Sequence, residues 1–306
     1  MSRGERRNLW LGLAFASPWI IGFLVFTLYP VLASVYYSFC DYDVLSKPLW
    51  VGTLNYRDMV TDSVFWQSLY NTLYYTALSL PLCLIVALLV AVLLNQSVKG
   101  RSAFRTIYFL PSLIPVVASC MVWLWILNGN LGLLNIALSW FHIKGPQWLA
   151  DEKWTKSSLI LMAVWASGNT MVIYLAALQD VPRSLYESAE IDGANAWVKF
   201  RHITIPMISP VIYFNLIMGI IASLQTFAQA YIMFSGGALG GGGVAFRAGG
   251  PNRSALLYAL YLYQCAFDFH QMGYACAMAW TLFLVILFLT WVATRSTRRL
   301  IYYGGE

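Results

Sequence analysis

Charge is what this sequence has least of. Of 306 residues, only 10% are Asp, Glu, Lys or Arg, whereas soluble globular chains carry about 25%. So few charges cannot cover a water-facing surface, which excludes an ordinary soluble domain and makes lipid the natural solvent for most of the chain. No G-x-x-x-x-G-K-[ST] occurs, so there is no P-loop to cradle nucleotide phosphates. Cysteine is sparse too. Cys40, Cys83, Cys120, Cys265 and Cys276 are odd in number and show no close metal-type spacing. Cys83, Cys120 and Cys276 lie in apolar runs and read as small buried hydrophobes. His142, His202 and His270 are far apart, each near the end of an apolar run, so no metal site is expected from them. No acidic residue stands in the middle of an apolar run, where an ion-coupled carrier often places one. The formal charge of +6 is dispersed along the chain, which excludes a nucleic-acid surface.

What the sequence does have is apolar and aromatic. It is 59% hydrophobic, with 13 Trp and 19 Tyr, rings that favour the membrane–water boundary. A helix needs about 20 apolar residues to cross a bilayer. Long gaps between charges run over 8–40, 63–98, 106–143, 157–179, 202–246 and 269–294. They predict an all-α polytopic membrane protein with six transmembrane helices, near 9–37, 70–95, 106–128, 157–179, 208–234 and 272–293. The surplus in the longer gaps is broken by glycine and reads as loop. On this division 1–8 and 294–306 are terminal segments flanking a membrane domain over 9–293.

The basic residues set the orientation. Arg3, Arg6, Arg7, Lys99, Arg101, Arg105, Arg183, Lys199, Arg201, Arg295, Arg298 and Arg299 fall on one side and hug the span ends. The positive-inside rule then puts both termini in the cytoplasm. Arg6 and Arg7 ahead of 9–13 resemble the start of a signal peptide, but the apolar run continues to Tyr37, so an uncleaved first span is expected. Pro30, Pro81, Pro111 and Pro115 lie in or near spans and predict kinks, either for packing or for bending around a cavity. The glycine-rich stretch 236–250 has no Lys after its glycines and reads as a flexible external loop.

The most informative segment is 180–206, DVPRSLYESAEIDGANAWVKFRHITIP. Ser184 with Glu187 three residues on predicts a capping box at the start of a short helix. Gly193 predicts a left-handed ending. A second short helix is expected over 195–202, making a bent hook. Ala189, Ala194, Trp197 and Phe200 would offer a partner protein small-residue contacts and aromatic anchors.

This segment resembles the EAA loop of permease subunits in binding-protein-dependent ATP-binding-cassette importers, whose pattern is E-A-A-x-x-D-G-A-x-x-x-x-x-F-x-x-I-x-L-P. Glu187, Ala189, Asp192, Gly193, Ala194, Phe200, Ile203 and Pro206 match it, with Ser188 for Ala and Ile205 for Leu as departures. The resemblance is to the carbohydrate type of the maltose, glycerol-phosphate and lactose permeases. It extends to Tyr29-Pro30, Ser38-Phe39, Gly52-Thr53-Leu54-Asn55-Tyr56, Asn71-Thr72, Phe109-Leu110-Pro111 and Gly132-Leu133-Leu134-Asn135. It continues through Leu178-Gln179-Asp180-Val181-Pro182, Gly249-Gly250-Pro251 and Gly273-Tyr274-Ala275. The glycine-rich insertion between Gly237 and Gly249 departs from it.

The resemblance implies a cytoplasmic coupling-helix hook between helices four and five, docking on an ATPase, with Glu187, Ser188, Ala189, Asp192, Gly193, Ala194, Phe200 and Pro206 as its residues. It implies a multi-pass subunit of a bacterial plasma (inner) membrane. Its partners would be a second homologous permease, two ATPase subunits that bind ATP and Mg, and an extracytoplasmic solute-binding protein. The chain itself would carry no cofactor and no catalytic residue, and the solute would be a sugar, polyol or sugar phosphate. A permease for amino acids or peptides shares the hook. A secondary transporter would need an intramembrane charge, and a receptor would have no use for a polar strip.

Gln225 and Gln229, four apart, share one face of an uninterrupted helix, with Thr226 beside them. With Asn169 in span four they are candidates for the solute pathway. The same residue types also glue membrane helices together by hydrogen bonds.

Overall fold

The computed structural model describes residues 3–96, 99–234 and 249–297. In chain order these form α1 (Arg3–Phe23), α2 (Tyr29–Ser38), an antiparallel pairing of β1 (Cys40–Asp41) with β2 (Leu49–Trp50), α3 (Leu54–Thr61) and α4 (Ser63–Asn95). Then come α5 (Arg101–Leu113), α6 (Val116–Ile126), α7 (Leu133–Trp140), α8 (Glu152–Trp165), α9 (Gly168–Asp180), α10 (Arg183–Ile191) and α11 (Ala196–Lys199). The chain ends with α12 (Ile205–Leu224), α13 (Ala228–Phe234), α14 (Tyr258–Tyr263) and α15 (Met272–Thr297). The expected helical architecture is present, with the short hairpin as a small addition.

Among the described residues, four runs are long and apolar enough to cross a membrane: Trp10–Ser38, Ser63–Asn95, Ala196–Phe234 and Met272–Thr297. Two bent pairs bring the number to six if each is one span. The proline kink expected in the span over 106–128 falls in the first pair, where the chain bends by 102° between α5 and α6. Pro115 is the cause. It forces Ile114 into extended backbone (ψ 129) and ends α5. The second pair, α8 and α9, bends by 42° across Ala166–Ser167. Pro81, by contrast, sits inside α4 without breaking it.

Two prolines produce a subtler device. A wide π-type turn over Leu24–Leu28 joins α1 to α2, with the Tyr29 amide reaching back to the Leu24 carbonyl just before Pro30. Another over Phe200–Thr204 joins α11 to α12, with the Ile205 amide reaching Phe200 just before Pro206. A proline ring in a regular helix clashes with the carbonyl four residues back, and the widened turn relieves it. The chain therefore passes through both prolines as continuous helix.

The chain divides into two compact units, 1–62 with 262–284, and 63–261 with 285–306. In the first, the motif Asn55-Tyr56 ties down the end of the first span. The Asn55 amide donates to the Ser38 and Cys40 carbonyls at 2.9 Å each, and the Tyr56 hydroxyl donates to Ser38 Oγ at 3.0 Å. Gly273 lies against the Cys40 carbonyl, where a Cβ would collide with backbone, and its amide donates to Tyr42 at 3.0 Å. These contacts give Gly273 and Asn55 structural roles that the sequence reading did not assign them.

In the second unit α4 is the central post, with α8, α9 and α12 packed on it. Ala87, Ala91, Leu94, Met171, Tyr174, Leu175, Leu178, Val181 and Ile208 form its buried core. Small side chains on α4 let α9 approach closely, and close approach is the main source of helix cohesion in lipid. Gly168 carries this furthest: a Cβ there would run into the backbone of Tyr108 and Phe109 on α5. Gly168→Ala is expected to lower stability by about 1–3 kcal/mol, read as a fall in thermal midpoint of the detergent-solubilised chain.

Candidate functional site

The hook begins where α9 stops. Leu178 and Val181 are buried in the core, and Val181 is extended ahead of Pro182. The expected Ser184–Glu187 capping box does not form. Pro182 is the N-cap and Arg183 the first helical residue, so α10 starts too early for Ser184 to stand in the capping position. Proline at the boundary already ends the preceding helix and fixes the entry, which leaves Ser184 inside the first turn.

The expected ending does form. Gly193 has φ +77, its amide donates to the Glu190 carbonyl at 3.0 Å, and the Ala194 amide donates to the Ala189 carbonyl at 2.8 Å. This is the paired bonding of a Schellman C-cap. Nothing stands within 4 Å of a Cβ at Gly193, so backbone conformation alone demands glycine there. Asn195 then caps α11, accepting from the Val198 amide at 2.9 Å.

The expected second helix over 195–202 is not a separate arm. Through the π-type turn at Phe200–Thr204 it runs directly into α12, so the hook's return limb is the first part of a span. Half-buried Phe200 and Pro206 sit on that limb. Two contacts that sequence reading missed hold the limbs together. The Tyr186 and Thr204 hydroxyls lie 2.9 Å apart in a hydrogen bond, and Lys199 Nζ meets Glu190 Oε1 at 2.7 Å. The ion pair is exposed on its Glu side and is worth at most about 1 kcal/mol. Tyr186 matters more, since with Ile203 and Met207 it packs against the buried core. The hook is thereby fastened to the spans behind it.

Its outer face is open. No residue of α10 is buried. Glu187, Ser188 and Asp192 are exposed, and Glu187 takes no part in the ion pair. Ile191 is 87% exposed and Trp197 65% exposed, with the Trp197 and Phe200 rings 5.8 Å apart. Acidic groups mixed with an exposed Ile and Trp on a rigid projection make a surface fit for a protein partner.

The glutamine strip needs correction. α12 ends at Leu224 and α13 begins at Ala228, with Gln225 as the C-cap (φ −97, ψ 10). Gln225 and Gln229 therefore do not share one continuous helical face, because three residues of non-helical backbone separate their helices. Gln225 is exposed, Gln229 is half-buried, and Thr226 donates to the Ala222 carbonyl at 3.4 Å. Phe227 and Tyr231 stack with ring centroids 5.3 Å apart. Asn169 is exposed in the first turn of α9, beside the bend at Ala166–Ser167. Each thus lies in or beside a helix break. Irregular backbone at membrane depth is tolerated where protein covers it or where it lines a water-filled cavity.

A second polar centre was not foreseen as such. Asn71 is 2% exposed. Its amide donates to the Arg253 and Leu256 carbonyls at 2.9 and 3.1 Å, and its oxygen accepts from Lys156 Nζ at 3.0 Å. Thr72 Oγ1 accepts from the Tyr258 amide at 2.7 Å. These bonds pin 249–258, where Asn252 and Arg253 are left-handed. The expected glycine-rich loop falls mostly on 235–248, outside the described residues. A lone Asn-Thr pair in a chargeless run was the only available sign of this centre.

Apolar runs able to span a bilayer, helices broken inside them and an exposed helical projection define a multi-pass membrane protein. Across 79–302 the chain matches the family described as binding-protein-dependent transport system inner membrane component, and it belongs to that family. It is 40% identical to a probable ABC transporter permease, YesP of Bacillus subtilis, over 100% of this chain and 96% of that one. It is 34% identical to the lactose transport system permease LacF of Rhizobium radiobacter, over 95% and 94% of the two chains. Among solved structures, it resembles a chain of a bacterial alginate ABC transporter, crystallised in complex with an alginate pentasaccharide-bound periplasmic protein. That likeness has a TM-score of 0.83 at 24% identity and covers 98% of each chain, and it shows the shared fold.

Proposed function

We propose that this chain is the permease subunit of an ATP-driven importer for a sugar or related polar solute. The observation that carries the reading is the hook at 180–206, a rigid, exposed projection fastened to the α4–α9 core. On this reading six spans cross the plasma (inner) membrane with both termini in the cytoplasm, and the hook lies on the cytoplasmic face between spans four and five. Two ATPase subunits, holding ATP and Mg, close on each other and push the hook. Tyr186, packed on the core and bonded to Thr204, passes that movement into α12. A second, homologous permease completes the pathway, and a solute-binding protein delivers solute from outside. The chain performs no covalent chemistry. The names of relatives specific for lactose and for arabinooligosaccharides support a carbohydrate solute. Asn169, Gln225, Thr226 and Gln229, in or beside helix breaks, would offer it hydrogen bonds.

Co-purification with an ATPase subunit from mild detergent tests the reading. Wild type is expected to retain the ATPase, and the double variant Glu187→Ala with Gly193→Pro to lose at least about tenfold of it, a change of roughly 1.4 kcal/mol in docking. Failure of wild type to retain any ATPase would overturn the proposal.

A further inference from the structure

Two clefts meet at the base of the hook. One, of ≈ 470 Å³, is mainly polar and has Arg101, Arg183, Asn95 and Gln179 in its wall. The other, of ≈ 360 Å³, is mainly apolar, with Val92, Ala196 and Phe200 in its wall. They share Asn95, Leu178 and Tyr186 and so adjoin as one groove, whose second, mainly apolar part also carries Gln96, Thr204 and Lys199, the last engaged by Glu190.

The two arginines reach this groove from different helices, each as the first residue of its helix, α5 and α10. Neither guanidinium has an ion pair or hydrogen bond among the described residues. Arginine's planar fork matches a phosphate, and two forks facing one cleft repel each other until an anion lies between them. The groove also lies at a definite depth. Asn95 is the last residue of apolar α4 and Gln179 the next to last of α9, so the cationic end sits where apolar helix gives way to the headgroup layer. Val92, in the apolar end, is about one helical turn further into the membrane. Basic pockets between transmembrane helices are suited to anionic lipid headgroups. A free phosphate would fill only the polar half of this groove.

We propose that the groove binds an anionic phospholipid, with its phosphate between Arg101 and Arg183 and an acyl chain against Val92, Leu178 and Phe200. Tyr186 and Phe200 belong to the hook, so the bound lipid braces the hook against α4 and α9. This inference shares with the importer reading only the placement of the hook at a membrane face, and needs no ATPase.

The test uses the full chain purified in mild detergent, incubated with phosphatidylglycerol, phosphatidylcholine or inorganic phosphate. Native mass spectrometry reads the lipid retained, and thermal unfolding reads the stabilisation. Wild type is expected to prefer phosphatidylglycerol. Each arginine contributes about fivefold to that preference, so Arg101→Gln with Arg183→Gln should lose roughly 25-fold of it. The Lys pair should keep most of it, and Lys153→Gln, at the far end of α8, should change nothing. Equal retention of the two lipids by wild type overturns the proposal without any variant. So does a double Gln variant that keeps the preference while eluting and melting like wild type. Inorganic phosphate that stabilises wild type as well as phosphatidylglycerol does identifies a free-anion site instead. ATPase co-purification is read separately, so either proposal can fail alone.

Discussion

On the importer reading proposed above, Gly193→Val is expected to cut the ATP hydrolysis stimulated by solute-loaded binding protein at least about tenfold in the reconstituted transporter, with membrane insertion unchanged. Gly193 has φ +77, a conformation costing an L-residue about 1–2 kcal/mol and a β-branched one more. No neighbour lies within 4 Å of a Cβ there, so the cost comes from the backbone alone and does not disturb packing. It falls on the turn between Ala189 and Ala194, whose two bonds set the direction of α10 relative to α11. No residue of α10 is fully buried, so beside Tyr186 and the exposed Glu190–Lys199 pair this turn is what fixes its end. Asn tolerates the left-handed region and serves as a C-cap. Gly193→Asn should therefore retain most of the stimulation. That contrast separates hook geometry from loss of a small side chain. Wild-type hydrolysis by the valine variant would remove Gly193 from the coupling route.

Asn71→Leu is expected to destabilise the second unit by about 3–4 kcal/mol, seen as a lower thermal midpoint in detergent. One side chain satisfies the carbonyls of Arg253 and Leu256 and supplies the acceptor for Lys156. Leucine leaves the Leu256 carbonyl without a donor and removes the acceptor of Lys156, while the Arg253 carbonyl keeps only the Leu256 amide. Leu256 is 1% exposed, so water cannot replace the lost bond at its carbonyl. Asn71→Asp distinguishes the roles. It keeps an acceptor for Lys156, but turns a carboxylate toward two carbonyl oxygens that need a donor. Asp should therefore destabilise about as much as Leu. A wild-type midpoint for Asp would show that the Lys156 contact dominates.

Much of the site was legible because its determinants are local. Gly193 ends a helix through its own φ, and Pro206 widens the turn before it, so 180–206 could be read as a bent projection from short-range rules. The capping box failed for an equally local reason: Pro182 was a stronger boundary than Ser184. The polar strip failed differently. Gln225 and Gln229 fit one helical face only if the helix is continuous, and no proline or glycine between Leu224 and Ala228 signals the break.

The sequence by itself determined that this is a helical membrane protein with a bent helical projection at 180–206, since scarcity of charge dictates the solvent and one glycine dictates a turn. Only the tertiary structure decided the break at 225–227, the Asn71 centre and the two arginines of the groove. The reason is distance along the chain. Asn71 and Leu256 are 185 residues apart, and Tyr186 and Thr204 are 18 apart. Pairings between such positions depend on which helices pack together, and in lipid that choice rests on close fit and hydrogen bonds, not on an apolar pattern shared by every span.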